Sequence, residues 1–519
     1  MEGFLVLVLS SIAVIIISQL LKVLLNLIWR PYAITKWYRE QGIQGPKYQF
    51  MKGSIEEMRN SKSGAQKVPM DINSHDFTPR ILPHYLKWVS LYGKTFLFWF
   101  GSIPRICITD MELVKQVLSN KSGFYPKTDA HPGMLALLGK GLVMIDGPDW
   151  ARHRRVINPA FTIDKLKMMT RKMTGCAKSM IEGWENQIAQ DKSKQIEIEL
   201  NKQFLELTAD VISHTAFGSS YMKGTEVFFA QKELQTLAFA SFLNVQIPGF
   251  QYLPTPDNRK GWCLDKKVRT TLMQIIHERM KSRKDEGYGK DLLGLMLETC
   301  MVGGKENDNS RMTMDEIIDE CKTFFFGGHE TTSHLLTWTM FLLSTNEDWQ
   351  EKLKEEVLRE CGMEVPNAEM LSKLKLVNMV LLEALRIYGP VTIIFRKASQ
   401  DMELGTIKLL KGTSIAIPIA ILHRDKEISG PDADKFNPLR FENGLSKAAK
   451  HPNALLSFSI GPRACIGQNF AILEAKAVIA MLLQRFSFSI STNYLHEPID
   501  IITLQPKSGL RVIMSPIQA

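Results

Sequence analysis

The run Phe458-Ser459-Ile460-Gly461-Pro462-Arg463-Ala464-Cys465-Ile466-Gly467 describes a tight loop ending in one thiol. Gly461 and Gly467 permit turns and close backbone approach that a β-carbon would block. Backbone N–H groups in such a loop can point at a thiolate and stabilise its charge. Arg463 supplies a nearby cation, and Phe458 can shield the sulfur from water. A lone cysteine is usually a small buried hydrophobe. Cys465 instead sits between two glycines with an arginine two residues before it, which packing does not require. A second cluster, Gly327-Gly328-His329-Glu330-Thr331-Thr332, falls in the middle of the apolar stretch from Asp319 to Ser344. Each glycine inside a helix costs roughly 1 kcal/mol relative to alanine. That cost suggests that something must approach the backbone closely. Glu330 and Thr331 form an acid–alcohol pair able to relay protons. The plainer reading is a helix kink with satisfied polar residues.

Other fragments invite readings that fail on spacing. His329 and His334 imitate a zinc-protease motif, but they lie five residues apart, about 140° around a helix, rather than four. His423-Arg424-Asp425 imitates a kinase catalytic loop, yet Gly430 stands where that loop needs asparagine. Gly139-Lys140-Gly141 lacks the third glycine of a dinucleotide fingerprint, because Met144 occupies its place. Glu383 and Arg386 can meet on one helix face, although such pairs are mostly superficial. Trp150 and Arg154, four apart, read as an ordinary cation–π pair.

The cysteine loop resembles the haem-thiolate loop of cytochrome P450 monooxygenases. By that resemblance Cys465 is the iron ligand of a haem b, and its thiolate pushes electron density toward iron. Gly327 then lies against the haem and dioxygen, and Glu330 and Thr331 deliver protons. The resemblance makes Glu383, Arg386 and Arg440 a structural triad, with Leu439 where the family more often has glutamate. It turns Trp150, Arg154 and Arg396 toward the haem propionates, and counts Phe458, Arg463 and Gly467 among the cofactor contacts. Five motifs in family order cover nearly the whole chain. The sequence looks most like the microsomal plant clan of cytokinin hydroxylases, gibberellin-modifying enzymes, triterpenoid oxidases and fatty-acid hydroxylases. The implied activity is hydroxylation of a C–H bond in a fatty acid or a terpenoid, hormone-like molecule. Electrons would come from NADPH through cytochrome P450 reductase, with cytochrome b5 as a further donor, since the chain has no flavin or nicotinamide motif. Arg152, Arg155, Lys447, Lys450 and Arg463 are the basic residues expected to meet an acidic redox partner. Expected pocket walls are 124–143, 238–255, Phe325, Phe326, 392–395 and 505–509. Two alternatives are a haem-thiolate isomerase or dehydratase that needs no electrons, and a non-catalytic haem-binding membrane protein.

The elements that must position these residues follow from patterning. The chain has 519 residues, 45% hydrophobic and 23% charged, which excludes general disorder and a polytopic membrane bundle. Residues 4–21 are almost wholly apolar, and Arg30, Lys36 and Arg39 follow them. This predicts a signal anchor over 1–29, with the rest cytosolic at the endoplasmic reticulum membrane. Arg30-Pro31 is expected to end that helix, and 30–52 to form a basic, proline-containing hinge linker. Residues 53–519 are expected to form one haem-thiolate domain, mainly α with a minor β region. Helical periodicity covers 164–190, 201–217, 264–283, 312–344, 347–361 and 375–388, and 303–311 reads as a surface loop. Strand-like runs appear at 95–109, 403–408, 412–418, 485–491 and 509–515. Seven scattered cysteines fit a reducing compartment. The net charge of +10 suits an anionic membrane or an acidic protein, and without a basic stripe or motif no nucleic acid is expected.

Overall fold

A computed structural model describes residues 2–192, 194–218, 221–242, 249–282, 287–301 and 311–517. The apolar N-terminus forms α1 (Glu2–Leu24), part of a helical stretch long and apolar enough to cross a membrane. The expected stop at Arg30-Pro31 is absent. A π-turn over Leu25–Trp29 leads directly into α2 (Arg30–Glu40). Pro31 has no N–H for the carbonyl of Leu27, one turn back. Two adjustments absorb the loss. Arg30 N–H reaches back to the Leu25 carbonyl, and the Tyr48 hydroxyl donates to the orphaned Leu27 carbonyl at 2.9 Å.

The segment expected as a hinge makes specific contacts. Ile34 and Tyr38 of α2 are buried. The Tyr38 hydroxyl lies 2.9 Å from Thr413 Oγ1 and accepts the Leu410 N–H at 3.2 Å. Gln41 bridges both sides of one peptide position, accepting from Lys408 N–H at 2.7 Å and donating to its carbonyl at 3.3 Å.

Strands β1 (Thr95–Phe100) and β2 (Ile103–Ile108) form a hairpin. With β3 (Ile394–Lys397) and β4 (Ser414–Ile417) they make a sheet in the order β1-β2-β4-β3, in which only the β2–β4 pairing is parallel. The predicted strand run 485–491 joins Arg511–Pro516 and an unforeseen strand, Ile196–Glu199, in a second sheet.

Helices carry the rest: α3 (Gly147–Ile157), α4 (Ile163–Gln190), α5 (Leu200–Ala216), α6 (Tyr221–Phe242), α7 (Met314–Ser344), α8 (Lys375–Tyr388) and α9 (Gln468–Arg485); periodicity predicts α4, α5, α7 and α8, whereas α3, α6 and α9 lie outside the predicted runs. A capping box between Thr313 and Glu316 opens α7. This helix is buried along most of its length and packs closely on α5. A β-carbon on Gly328 would lie 2.7 Å from Ile212 Cδ1, so this glycine permits the helices to approach. Helix α9 leaves the cysteine loop and packs on α4. The polar loop expected at 303–311 falls, up to residue 310, outside the described residues.

Candidate active site

The cysteine loop closes on its own backbone. The Cys465 N–H donates to the Phe458 carbonyl at 2.8 Å, and Ala464 N–H to the Gly461 carbonyl at 3.0 Å. Ser459 adopts φ +57° to make the turn. Gly461 has φ +74°, and a β-carbon there would lie 2.4 Å from the Leu118 carbonyl oxygen, so glycine is required. Gly467 differs from expectation. Its φ is −88°, and a β-carbon would make only ordinary contact, 3.9 Å from the sulfur. Its contribution is its N–H, which is directed at Cys465 Sγ. Phe458 is half-buried against the core, and its carbonyl fastens the loop.

Cys465 is exposed, yet burial pushes its thiol up, against the pull of the Gly467 N–H and the Arg154 charge. The thiol is therefore accessible although protein surrounds it. Arg154 holds the same place by donating to the Ala464 carbonyl at 3.1 Å. The Trp150 ring, by contrast, is covered by Arg463, whose guanidinium carbon lies 4.5 Å from the ring centroid. The sequence pairing of Trp150 with Arg154 is thus replaced by a contact across the fold. Arg463 also donates to the Ile145 carbonyl at 2.7 Å and pairs with Asp146.

Arg396 is buried and donates to the Phe395 carbonyl at 2.8 Å. Burial and the Arg463 charge push it down to about 10. Lys127 joins the group. Burial, with the charges of Arg396 and Arg463, pushes its amine down to about 7. Three cations thus repel one another around one carboxylate, Asp146. Such a cluster calls for further anions, and the two propionates of a haem meet that need. Lys127 and Asp146 escaped the sequence reading because neither belongs to a spaced motif. The donor set fits a haem: an accessible thiol, an N–H and a cation directed at it, and an anion-seeking rim.

On α7 the sides divide. Gly327 is exposed in an otherwise buried stretch, with nothing within 4 Å of a β-carbon built on it. Thr331, one turn later, donates to the Gly327 carbonyl at 2.9 Å. Glu330 is buried, and its carboxylate accepts from Gln235 Nε2 at 2.8 Å and Thr503 Oγ1 at 3.0 Å. The acid and the alcohol, expected to work side by side, therefore present their oxygens to different partners. His329 and His334 flank Glu330 at 3.8 and 4.0 Å. Burial works to raise the Glu330 carboxyl. The charges of His334 and His329 and the bonds from Gln235 and Thr503 outweigh it and hold the group below its usual range. Among the described residues the two histidines belong to no metal-holding cluster.

Two expected pocket walls are core instead. Phe325 is fully buried and stacks on Phe217 with ring centroids 4.1 Å apart, and Phe326 is buried too. They pack because α7 turns that face toward its neighbouring helices. Within 238–255, residues 243–248 lie outside the described residues.

The triad is assembled with a fourth member. Arg386 makes a two-pronged contact with Glu383, both bonds 2.7 Å, with the pair almost fully buried. Arg440 lies 3.7 Å from Glu383 but only 2.8 Å from Asp432. His423, the false kinase histidine, accepts the Leu456 N–H at 2.9 Å and faces the Arg386 carbonyl at 3.0 Å. It ties α8 to the approach of the cysteine loop. Of the expected docking cations, Arg152 is bound to Glu316 at 2.5 Å and Asp149 at 3.2 Å, and Arg463 is the internal residue described above. Arg155, Lys447 and Lys450 are exposed.

The domain model described as Cytochrome P450 matches residues 79–513. The chain is 50% identical to Cytochrome P450 709B1 of Arabidopsis thaliana over 521 aligned positions, covering 99% of each chain. It is 51% identical to Cytochrome P450 709B3 of the same plant, covering 97% of this chain and 96% of the relative. Secologanin synthase 1 of Catharanthus roseus is 40% identical, with 94% of each chain covered. An accessible thiol in its glycine-bounded loop, a cationic rim and these near full-length matches lead to one assignment: the chain belongs to the cytochrome P450 family of monooxygenases, which bind haem through a cysteine thiolate.

Proposed function

We propose that this protein hydroxylates a C–H bond of a fatty acid or a terpenoid, hormone-like molecule, drawing electrons from NADPH through cytochrome P450 reductase, with cytochrome b5 as a further donor. It sits in the endoplasmic reticulum membrane as a single-pass protein, with 1–29 as anchor, 30–52 as linker and 53–519 as the cytosolic catalytic domain. Cys465 is the iron ligand. The observation that carries this reading is the exposed Cys465 thiol, served by the Gly467 N–H and Arg154.

Bound haem supplies the site at which dioxygen is activated. The chain's own residues do the rest. Arg154, Arg396, Arg463 and Lys127 would neutralise the propionates, with Trp150 supporting Arg463. Gly327 would leave room for the group beside α7. Thr331 keeps a hydroxyl at the cavity by bonding to the Gly327 carbonyl, and its lone pairs accept a proton donor there. Glu330 stores the proton-exchanging carboxylate behind it, restrained by Gln235 and Thr503. Glu383, Arg386 and Arg440 keep the chain beneath the cysteine loop rigid.

The reduced carbon monoxide difference spectrum tests ligation. A band near about 450 nm supports the Cys465 thiolate, and a band displaced from it, as a neutral ligand gives, overturns the assignment. Reconstitution with reductase and a panel of fatty acids, terpenoids and cytokinins tests the reaction. NADPH-dependent hydroxylated product supports it, and conversion without NADPH supports the isomerase or dehydratase alternative.

A further inference from the structure

Away from the haem cavity, three donors of different chemistry converge where α4 and α5 meet. Asp210 and His214 lie one turn apart on α5, so they share a face. Cys176 comes from α4. One ligand atom from each lies within 4.8 Å of the others, and all three side chains are half-buried, within reach of solvent. His214 Nε2 is 3.3 Å from Asp210 Oδ1. Two ligands each about 2.0–2.1 Å from one tetrahedral zinc stand roughly 3.3 Å apart, so this edge already has the length that zinc requires. The Cys176 thiol hydrogen-bonds to Asp210, and needs only a change of side-chain torsion to meet the same centre.

A second observation points to a missing cation. Glu474 of α9 is fully buried, and among the described residues neither carboxyl oxygen has a hydrogen-bond partner. A buried carboxyl without partners is rare and asks for an explanation such as a bound ion. Glu474 neighbours Cys176, and burial holds its carboxyl well above the usual carboxylate range, so it stays protonated until a cation lies near. The nearby Lys172 ammonium is occupied by the His214 carbonyl, at 2.5 Å. The locality therefore gathers a thiol, an imidazole and two carboxyls around one point between α4, α5 and α9.

We infer that Cys176, Asp210 and His214 form a zinc(II) site, with water as the fourth ligand and the Glu474 carboxyl behind it. Sulfur, imidazole and carboxylate together favour zinc over magnesium or calcium, which take oxygen donors. Binding displaces the thiol proton to solvent, so no redox partner is needed. The ion would join α4 to α5 beside α9, the helix that leaves the Cys465 loop. This site is independent of the haem reading.

The test uses the full-length, haem-loaded protein in detergent, freed of metal with a chelator and then titrated with zinc by equilibrium dialysis. Cys176→Ser and His214→Gln are compared with the parent, and an unchanged reduced carbon monoxide spectrum reports that each variant is folded. The expected result is one more tight zinc per haem in the parent, weakened roughly tenfold or more in each variant. Zinc-edge X-ray absorption of the parent should show one sulfur neighbour at about 2.3 Å. Equal stoichiometry and affinity in parent and variants, or a zinc shell without sulfur, overturns the inference. Should a variant fail to fold, the absorption spectrum of the parent alone decides.

Discussion

Glu383 receives both prongs of Arg386, the Asn437 N–H at 2.9 Å and a longer contact from Arg440. Removing one partner of a buried pair strands the other. Glu383→Ala should therefore cost about 3–5 kcal/mol in denaturant unfolding, whereas Arg440→Ala, whose nearer carboxylate Asp432 stays partly solvated, should cost less. The Glu383–Arg386 spacing was legible because both residues lie on one helix. Asp432 was not, because its partnership depends on the path of a loop. Glu330 shows the same limit. Its position beside Thr331 is legible, but Gln235 and Thr503 lie 95 and 173 residues away, and no local pattern announces them. Gln235→Leu removes a donor that favours the charged carboxylate, so the Glu330 pKa should rise. A hydrogen bond to a charged group contributes about 1.5–3 kcal/mol, or roughly one to two pH units. Because the proposed relay uses the ionised form, the acidic limb of the kcat profile should move to higher pH by that amount. A lowered kcat with an unmoved limb would leave Gln235 with a packing role alone.

Helix periodicity located α4, α5, α7 and α8 within a residue or two, because each carries an apolar face over several turns. The N-terminal helix was misread at Pro31 because the rule for proline considers only the local backbone. It omits a hydroxyl arriving from seventeen residues downstream of Pro31. Tyr48 caps the Leu27 carbonyl, and the π-turn redirects the neighbouring bond. Tyr48→Phe should loosen this junction by about 1 kcal/mol, the usual contribution of one hydrogen bond. Amide exchange over residues 28–40 should then accelerate roughly fivefold. In a Pro31→Ala background, where an N–H again faces Leu27, the same substitution should have less effect. Equal acceleration in both backgrounds would show that Tyr48 acts through packing on Trp99, which its ring meets edge-on at 5.2 Å.

At the scale of the molecule, the apolar N-terminal helix and the charge distribution decide how the protein meets its surroundings. Trp29 and Tyr32 are exposed where the apolar helix ends, the place of an interfacial aromatic belt. Tyr38 and Gln41 then fasten the helix that follows to the strand-rich side, so the body of the protein is held relative to the apolar helix. The net charge of +10 alone does not reveal which cations are free. Arg152 and Arg463 are consumed internally by Glu316 and Asp146, and Lys447 and Lys450 are exposed in the stretch that leads to the cysteine loop. Charge reversal at Arg152 would therefore break a structural pair rather than probe docking. Lys447→Glu combined with Lys450→Glu is the discriminating change. Because rim charges act mainly on encounter, it should slow first-electron reduction several-fold at low salt and flatten the salt dependence, leaving the reduced carbon monoxide spectrum intact. A reduction rate unchanged at low salt would move the partner's footprint to another face, toward Arg155.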